Sequence, residues 1–209
     1  MYEQFLMYME LGGSIMWIIL ALSVLAVAII MERLIFFAVS SSNLVSSANL
    51  DKLEAAFAES VSKDGAPRFV VPGKRSFHRL FSAAYESWEL DDEKLEAKLK
   101  REARKELYRW ERNLPLLEVI ARIAPLLGLL GTVLGMVDMF GSMGAGGAVS
   151  ASAVTTGIWQ ALFTTVAGLS VAIPALIVHS FLSGMIDREE EALERSSGFI
   201  LDKRAELPR

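Results

Sequence analysis

The chain has 209 residues, 53% of them apolar, against roughly 45–50% in ordinary soluble domains, and its mean hydropathy is positive. It contains no cysteine, which excludes disulfides and thiolate metal sites. The net charge of −4 is uninformative, and the Lys and Arg of residues 94–112 are interleaved with acids, so no one-sign patch of the kind nucleic acid needs is present there.

The first predicted element is an apolar helix over residues 15–31, interrupted only by Ser23 and bounded by Glu10 and by Glu32-Arg33. At 1.5 Å per residue it rises about 25 Å, a short membrane span that Gly13 and Ser14 can lengthen. Ala26-Val27-Ala28 has the small-x-small form of a signal-peptide cleavage site. The preceding flank, however, holds Glu3 and Glu10 and no basic residue, so a retained anchor is expected. Residues 40–122 are charged and predicted to be aqueous. Ser and Asn dominate 40–47. Asn49 is placed to cap a helix through Leu50, Leu53, Phe57 and Val61. Residues 63–74 carry Gly65, Pro67, Pro72 and Gly73 and predict a loop. Leu80, Phe81, Ala84 and Trp88 share one face of a second short helix. Asp91 or Asp92 then caps a long helix from residue 93 toward 140, about 70 Å if unbroken, with kinks expected only at Pro115 and Pro125.

Two further spans follow. Residues 123–140 carry no charge before Asp138, and residues 153–185 carry none at all. Lys and Arg occur only within 33–122 and 188–209. Short cytoplasmic segments retain such residues and short translocated ones lack them. The expected organisation is a periplasmic tail (1–14), a first span (15–39), a cytoplasmic helical domain (40–118), a second span (119–140), a short periplasmic loop (141–152), a third span (153–185) and a cytoplasmic C-terminal helix (186–209).

Gly128, Gly131 and Gly135 punctuate the second span, and the last two form a small-xxx-small ridge that lets helix backbones approach in lipid. Ordinary packing accounts for them without any channel. The third span carries Thr155, Thr156, Gln160, Thr164, Thr165, Ser170, His179 and Ser180. At about 100° per residue, Thr156, Gln160 and Thr164 share one face and Thr165 points elsewhere. Hydroxyls can bond back to their own helix, but a cluster this dense favours a polar lining. Thr132 lies about 15 Å beyond Arg122, and Thr165 about 35 Å before Arg188 on a helix that overshoots the bilayer, so the two are expected at comparable depth. Asp138 and His179 are expected near opposite interfaces as solvated or hydrogen-bonded groups rather than proton relays. His78 and His179 are far apart in sequence, and no catalytic cluster or phosphate-loop pattern is present, so neither an enzyme nor a metal or cofactor site is expected.

The runs Ala124-Pro125-Leu126-Leu127-Gly128-Leu129-Leu130-Gly131-Thr132-Val133-Leu134-Gly135 and Gly157-Ile158-Trp159-Gln160-Ala161-Leu162-Phe163-Thr164-Thr165-Val166-Ala167-Gly168-Leu169, followed by Ala172-Ile173-Pro174-Ala175, resemble the ExbB/TolQ branch of the MotA/TolQ/ExbB proton-channel family. The resemblance is detailed over 124–175. Three spans argue against the flagellar stator branch, which usually has four. It implies an all-α membrane protein whose long helices extend into the cytoplasm, assembled in the bacterial inner membrane as a homo-oligomer, a pentamer, around single-span partner helices of the ExbD/TolR kind. The partner carries the intramembrane Asp that takes and releases protons. The second and third spans line the pore, and the family's pore threonines fall on Thr132 and Thr165. Thr156, Gln160 and Thr164 join the expected polar path, and Gly128, Gly131, Gly135, Gly168 and Pro174 are expected packing positions. Proton flow then drives a TonB-like or TolA-like transducer. The chain departs from the pattern at Gln160, where many members carry Glu. Gln hydrogen-bonds but cannot titrate. A non-conducting membrane scaffold explains the spans and glycines, but not the hydroxyl-rich third span.

Overall fold

The computed structural model describes residues 13–41, 47–64, 76–143 and 151–206, and among them the chain is helical with no strand. The helices are α1 (Gly13–Ser41), α2 (Ser47–Asp64), α3 (Ser76–Glu86), α4 (Asp92–Glu111), α5 (Leu114–Met143) and α6 (Ala151–Ala205). Most of the expected N-terminal tail, most of the loop at 63–74 and most of the short loop at 141–152 lie outside the described residues. Three helices, α1, α5 and α6, are long and apolar enough to cross a membrane. The chain divides into two units, one of Met1–Leu34 with Asn113–Phe181 and the other of Ile35–Arg112 with Leu182–Arg209.

The first unit holds the apolar parts of α1, α5 and α6. Its packed centre is Ala26 and Ile29 of α1, Leu117, Ile120 and Ala121 of α5, and Ala175 of α6, flanked by Leu22, Ile30, Val171 and Val178. The buried residues of α5 recur at 117, 120, 121, 124, 128 and 131, the three-and-four spacing of one helix face. Leu126, Leu129, Val133 and Val137 project from the remaining surface. At the charged end of α1, Arg33 is 2% exposed, and its guanidinium donates to both carboxylate oxygens of Glu32 at 3.1 and 2.6 Å. The Asn113 amide donates to the same carboxylate at 2.8 Å. A guanidinium this deeply buried needs such a fixed partner.

The second unit is a small soluble-type core. Leu50, Phe57 and Val61 of α2, Phe77, Leu80, Phe81 and Ala84 of α3, Trp88 of the turn that follows it, Leu95 and Leu99 of α4, and Leu193 and Ile200 of α6 are buried together. Phe57 packs its ring 5.1 Å from Phe81 and edge-on to Trp88 at 5.8 Å. The short α3 buries the face expected from its spacing, with Phe77 added one turn earlier. Asp91 stands at the start of α4, but its carboxylate bonds Lys94 at 3.0 Å rather than the helix N–H groups.

One expectation is corrected. The charged helix does not run on into the second span, because Asn113 adopts φ 64°, and α4 and α5 are separate helices. Asn is among the few residues that enter the left-handed region readily. Its carbonyl accepts from the Leu117 N–H at 3.1 Å and so opens α5. Pro115 then sits in the first turn, where a missing N–H costs nothing. Pro125 and Pro174 lie inside α5 and α6 without ending them.

Candidate functional site: the hydroxyl-bearing seam of α5 and α6

In the first unit α5 and α6 meet along small residues. A Cβ added at Gly128 would lie 2.8 Å from the Thr164 carbonyl oxygen and 3.0 Å from the Thr165 Cα. At Gly131 it would lie 2.6 Å from the Thr164 hydroxyl, and at Gly168 it would collide with the Ala124 carbonyl. Gly135 is looser, with Ala161 Cβ at 3.5 Å. A Cβ added at Gly157, from the same α6 run, would lie 3.2 Å from the Met139 side chain. Glycine is therefore required where backbone meets backbone, at 128 and 168, and where the Thr164 side chain presses in, at 131, and is merely accommodated at 135. Pro174 is exposed, while its neighbours Ala172 and Ala175 are buried, so the seam at this level is carried by alanine rather than proline.

The threonines converge on one level. Thr164 is 1% exposed and donates to the Ala161 carbonyl at 2.7 Å and across the seam to the Gly128 carbonyl at 3.1 Å. Thr165, half-buried, donates to the same Gly128 carbonyl at 3.2 Å. Thr132 lies one turn further along α5, also half-buried, and donates to the Leu129 carbonyl of its own helix at 2.6 Å. The structure thus brings Thr132, Thr164 and Thr165 to within about one turn, near 6 Å along the axis. Each hydroxyl uses its proton on a carbonyl and keeps its oxygen lone pairs as acceptors. The three differ in access. Thr164 is turned wholly into the helix pair, whereas Thr132 and Thr165 retain exposed surface. Thr156 and Gln160 lie on α6, and their side chains are outside the described residues. The focal role of the Gly128 carbonyl is invisible in a residue pattern, because it belongs to the backbone. The glycine is its only sequence signal.

Charge is confined to the ends of the seam. Asp138 is exposed near one end of α5. Toward the other end Glu118 pairs with Arg122 at 2.5 Å, and His179 of α6 approaches the Glu118 carboxylate at 3.9 Å. Between these, the seam is uncharged and its chemistry is that of hydroxyls and carbonyls. No group of three or more His, Cys, Asp or Glu placed to hold a metal occurs among the described residues.

Comparison with known proteins places this seam in context. Residues 73–195, more than half of the chain, match the model of the MotA/TolQ/ExbB proton channel family. A putative biopolymer transport protein, ExbB-like 1, of Synechocystis is 35% identical over 178 residues, covering 82% of this chain and 67% of its own length. Biopolymer transport protein exbB1 of Vibrio cholerae is 38% identical over 94 residues, 44% of this chain and 41% of its own length. The Tol-Pal system protein TolQ of Haemophilus influenzae is 31% identical over 99 residues, 47% of this chain and 42% of its own length. The matched segments thus span between two fifths and two thirds of these relatives.

Proposed function

This chain belongs to the MotA/TolQ/ExbB proton channel family and is built as a multi-pass membrane protein, and from that premise we propose that it is the channel-forming subunit of an ExbB-type motor in the bacterial inner membrane. In this reading several copies, five by the family resemblance, surround the single-span helices of an ExbD/TolR-like partner. The partner's intramembrane Asp carries the proton. The N-terminus is periplasmic and the C-terminus cytoplasmic, in keeping with the confinement of Lys and Arg to 33–122 and 188–209. The work energises a TonB-like transducer.

The observation that carries the reading is the level formed by Thr132 and Thr165 on an otherwise uncharged helix pair. A carboxylate at the membrane centre is costly and holds its proton against apolar walls. Hydroxyls with free lone pairs, and the water they order, stabilise the ionised form at particular angles around a ring. Rotation then carries the partner Asp between wet and dry settings. Thr165 is the stronger candidate contact, and Thr132 borders it. Thr156 and Gln160 belong by their four-residue spacing to the Thr164 face of α6. Thr164 enters as the residue that holds the helix pair in register. Gln160 supplies hydrogen bonds without a titrating group, which leaves the partner Asp as the proton carrier.

Proton flux into liposomes containing this chain and its partner tests the proposal. Thr132→Val and Thr165→Val keep side-chain volume and remove the hydroxyl. A hydrogen bond to a charged group contributes about 1.5–3 kcal/mol, so each variant should lose roughly tenfold or more of the flux while the complex still assembles. Undiminished flux in the double variant overturns the reading. The TolQ-like match supports a second client, envelope maintenance through a TolA-like transducer. The ExbB-like match covers more of the chain, which favours the transport role. Pull-down of the transducer from native membranes separates the two.

A further inference from the structure

The part of α6 that lies beyond the third span, in the second unit, buries a single stripe. Leu182, Ile186, Glu189, Leu193, Ser196 and Ile200 recur at three- and four-residue steps, and each is 5% exposed or less. Position 189 is a core position by spacing, yet it carries a carboxylate. The neighbouring acids Asp187, Glu190, Glu191 and Glu194 all face outward. Glu189 lies past Asp187-Arg188, outside the apolar stretch.

The surroundings of this carboxylate come from two other helices. From α3, the buried Ser76 hydroxyl is placed to lower the proton affinity of the Glu189 carboxyl. From α4, the Trp110 indole N–H donates to Ser76 Oγ at 3.2 Å, and Phe36 and Phe37 of α1 set their rings against the same indole at 5.4 and 5.1 Å. Also from α4 comes Glu106, 3% exposed and close enough to repel. Glu106 has its own cations: Arg79 of α3 and Arg109 of α4, each at 2.8 Å. Among the described residues Glu189 has no cation within ion-pairing distance. Glu106 and Glu189 are both buried and only Glu106 is neutralised by arginine, an arrangement that favours the protonated form of Glu189.

We propose that Glu189 is a proton-sensing latch: protonated, it closes α6 onto α3 and α4, and ionised, it loosens that packing. Burial pushes its carboxyl above the usual carboxylate range, the Ser76 hydroxyl draws it partly back, and the negative charge of Glu106 raises it again. The sign follows. A carboxyl raised in the folded state binds its proton more tightly there than in the unfolded chain. The stability it confers is complete below the unfolded value and is lost as pH rises through the raised one. In a machine that admits protons to the compartment around this unit, the latch tightens as that compartment acidifies. The latch stands independently of proton conduction; only the identity of the compartment rests on the proposed orientation.

The full chain with its partner, in lipid nanodiscs, is the material for the test. The chain has four tryptophans, so an indole ¹⁵N spectrum shows few signals, and Trp110→Phe identifies the one in the network. As pH falls that signal should shift, and the melting midpoint of the second unit should rise. In Glu189→Gln both responses should vanish, with the melting midpoint at high pH raised to that of the acidified native chain. Glu189→Asp should keep a response with a displaced midpoint. His78→Gln and His179→Gln control for the only two histidines and should change neither. A Trp110 signal that ignores pH, or that titrates unchanged in Glu189→Gln, or that stops titrating when a histidine is replaced, overturns the proposal.

Discussion

At the scale of single residues the α5–α6 seam sets apart glycines of the same motif. Gly168→Ala would drive a methyl into the Ala124 carbonyl, a backbone atom that cannot rotate away. Overpacking of this kind costs about 1–3 kcal/mol, so the variant should unfold at a visibly lower temperature and assemble poorly. Gly135→Ala meets only ordinary contact at 3.5 Å and should be tolerated. Gly184 and Gly198 lie in the interior of α6 with nothing within 4 Å of an added Cβ. Alanine at either should stabilise by about 0.5–1 kcal/mol, because it restricts the unfolded backbone at no steric cost. Thermal unfolding of the four variants in one detergent checks the ranking, and equal losses at 168 and 135 would refute it. The small-residue ridge was legible in the sequence, since glycine at four-residue spacing announces close packing. Which glycine touches backbone was not, because spacing defines a face and not the point of nearest approach. The same limit applies to Thr164 and Thr165. They are adjacent in sequence and both bond Gly128, yet one is sealed in the seam and the other retains open surface.

At the scale of the elements the helices were legible because their patterns are long and uniform, while the break at Asn113 was not. Asn is compatible with helix interior and with the left-handed turn, and Pro115 two residues on suits either a kink or a first turn. What decides is the pair of contacts the turn permits: the Asn113 carbonyl opening α5, and its amide reaching Glu32. Asn113→Ala keeps neither the side-chain bond nor the ease of positive φ and should destabilise by about 1–2 kcal/mol. Asn113→Gly should recover most of the backbone part and leave only the loss of the Glu32 bond. If alanine and glycine prove equivalent in thermal unfolding, the turn is not under the constraint argued here. The α6 stripe shows a related limit. Its later half reads as alternating acid and base, a solvated face by composition. Its core character appears only when Leu182, Ile186, Leu193 and Ile200 are counted by threes and fours, and the same count exposes Glu189 as an acid at an apolar position.

For the whole molecule the decisive constraint is the closeness of α5 and α6. At Gly128, Gly131 and Gly168 the two helices leave no room even for a methyl group, so no file of water runs between them within one copy at that level. The proposed proton path at the height of Thr132 and Thr165 must therefore lie on the outer surface of the pair, and by that proposal it becomes a passage only when other chains close around it. The exposed Leu126, Val137, Trp159 and Leu162 must likewise be covered by lipid or by further copies. The chain has no cysteine, so single thiols report this directly. Thr132→Cys and Thr165→Cys, in the assembled complex with the partner, should react with a small water-soluble thiosulfonate. Val137→Cys lies about 140° around α5 from Thr132 and should react only with a lipid-soluble maleimide. Reaction should be faster at 165 than at 164, since Thr164→Cys places its sulfur inside the seam. Equal labelling at 132, 137 and 165, or labelling of the threonine positions from lipid alone, would put the hydroxyls on the wrong side of the helix pair for an axial path, and the channel would have to be sought elsewhere.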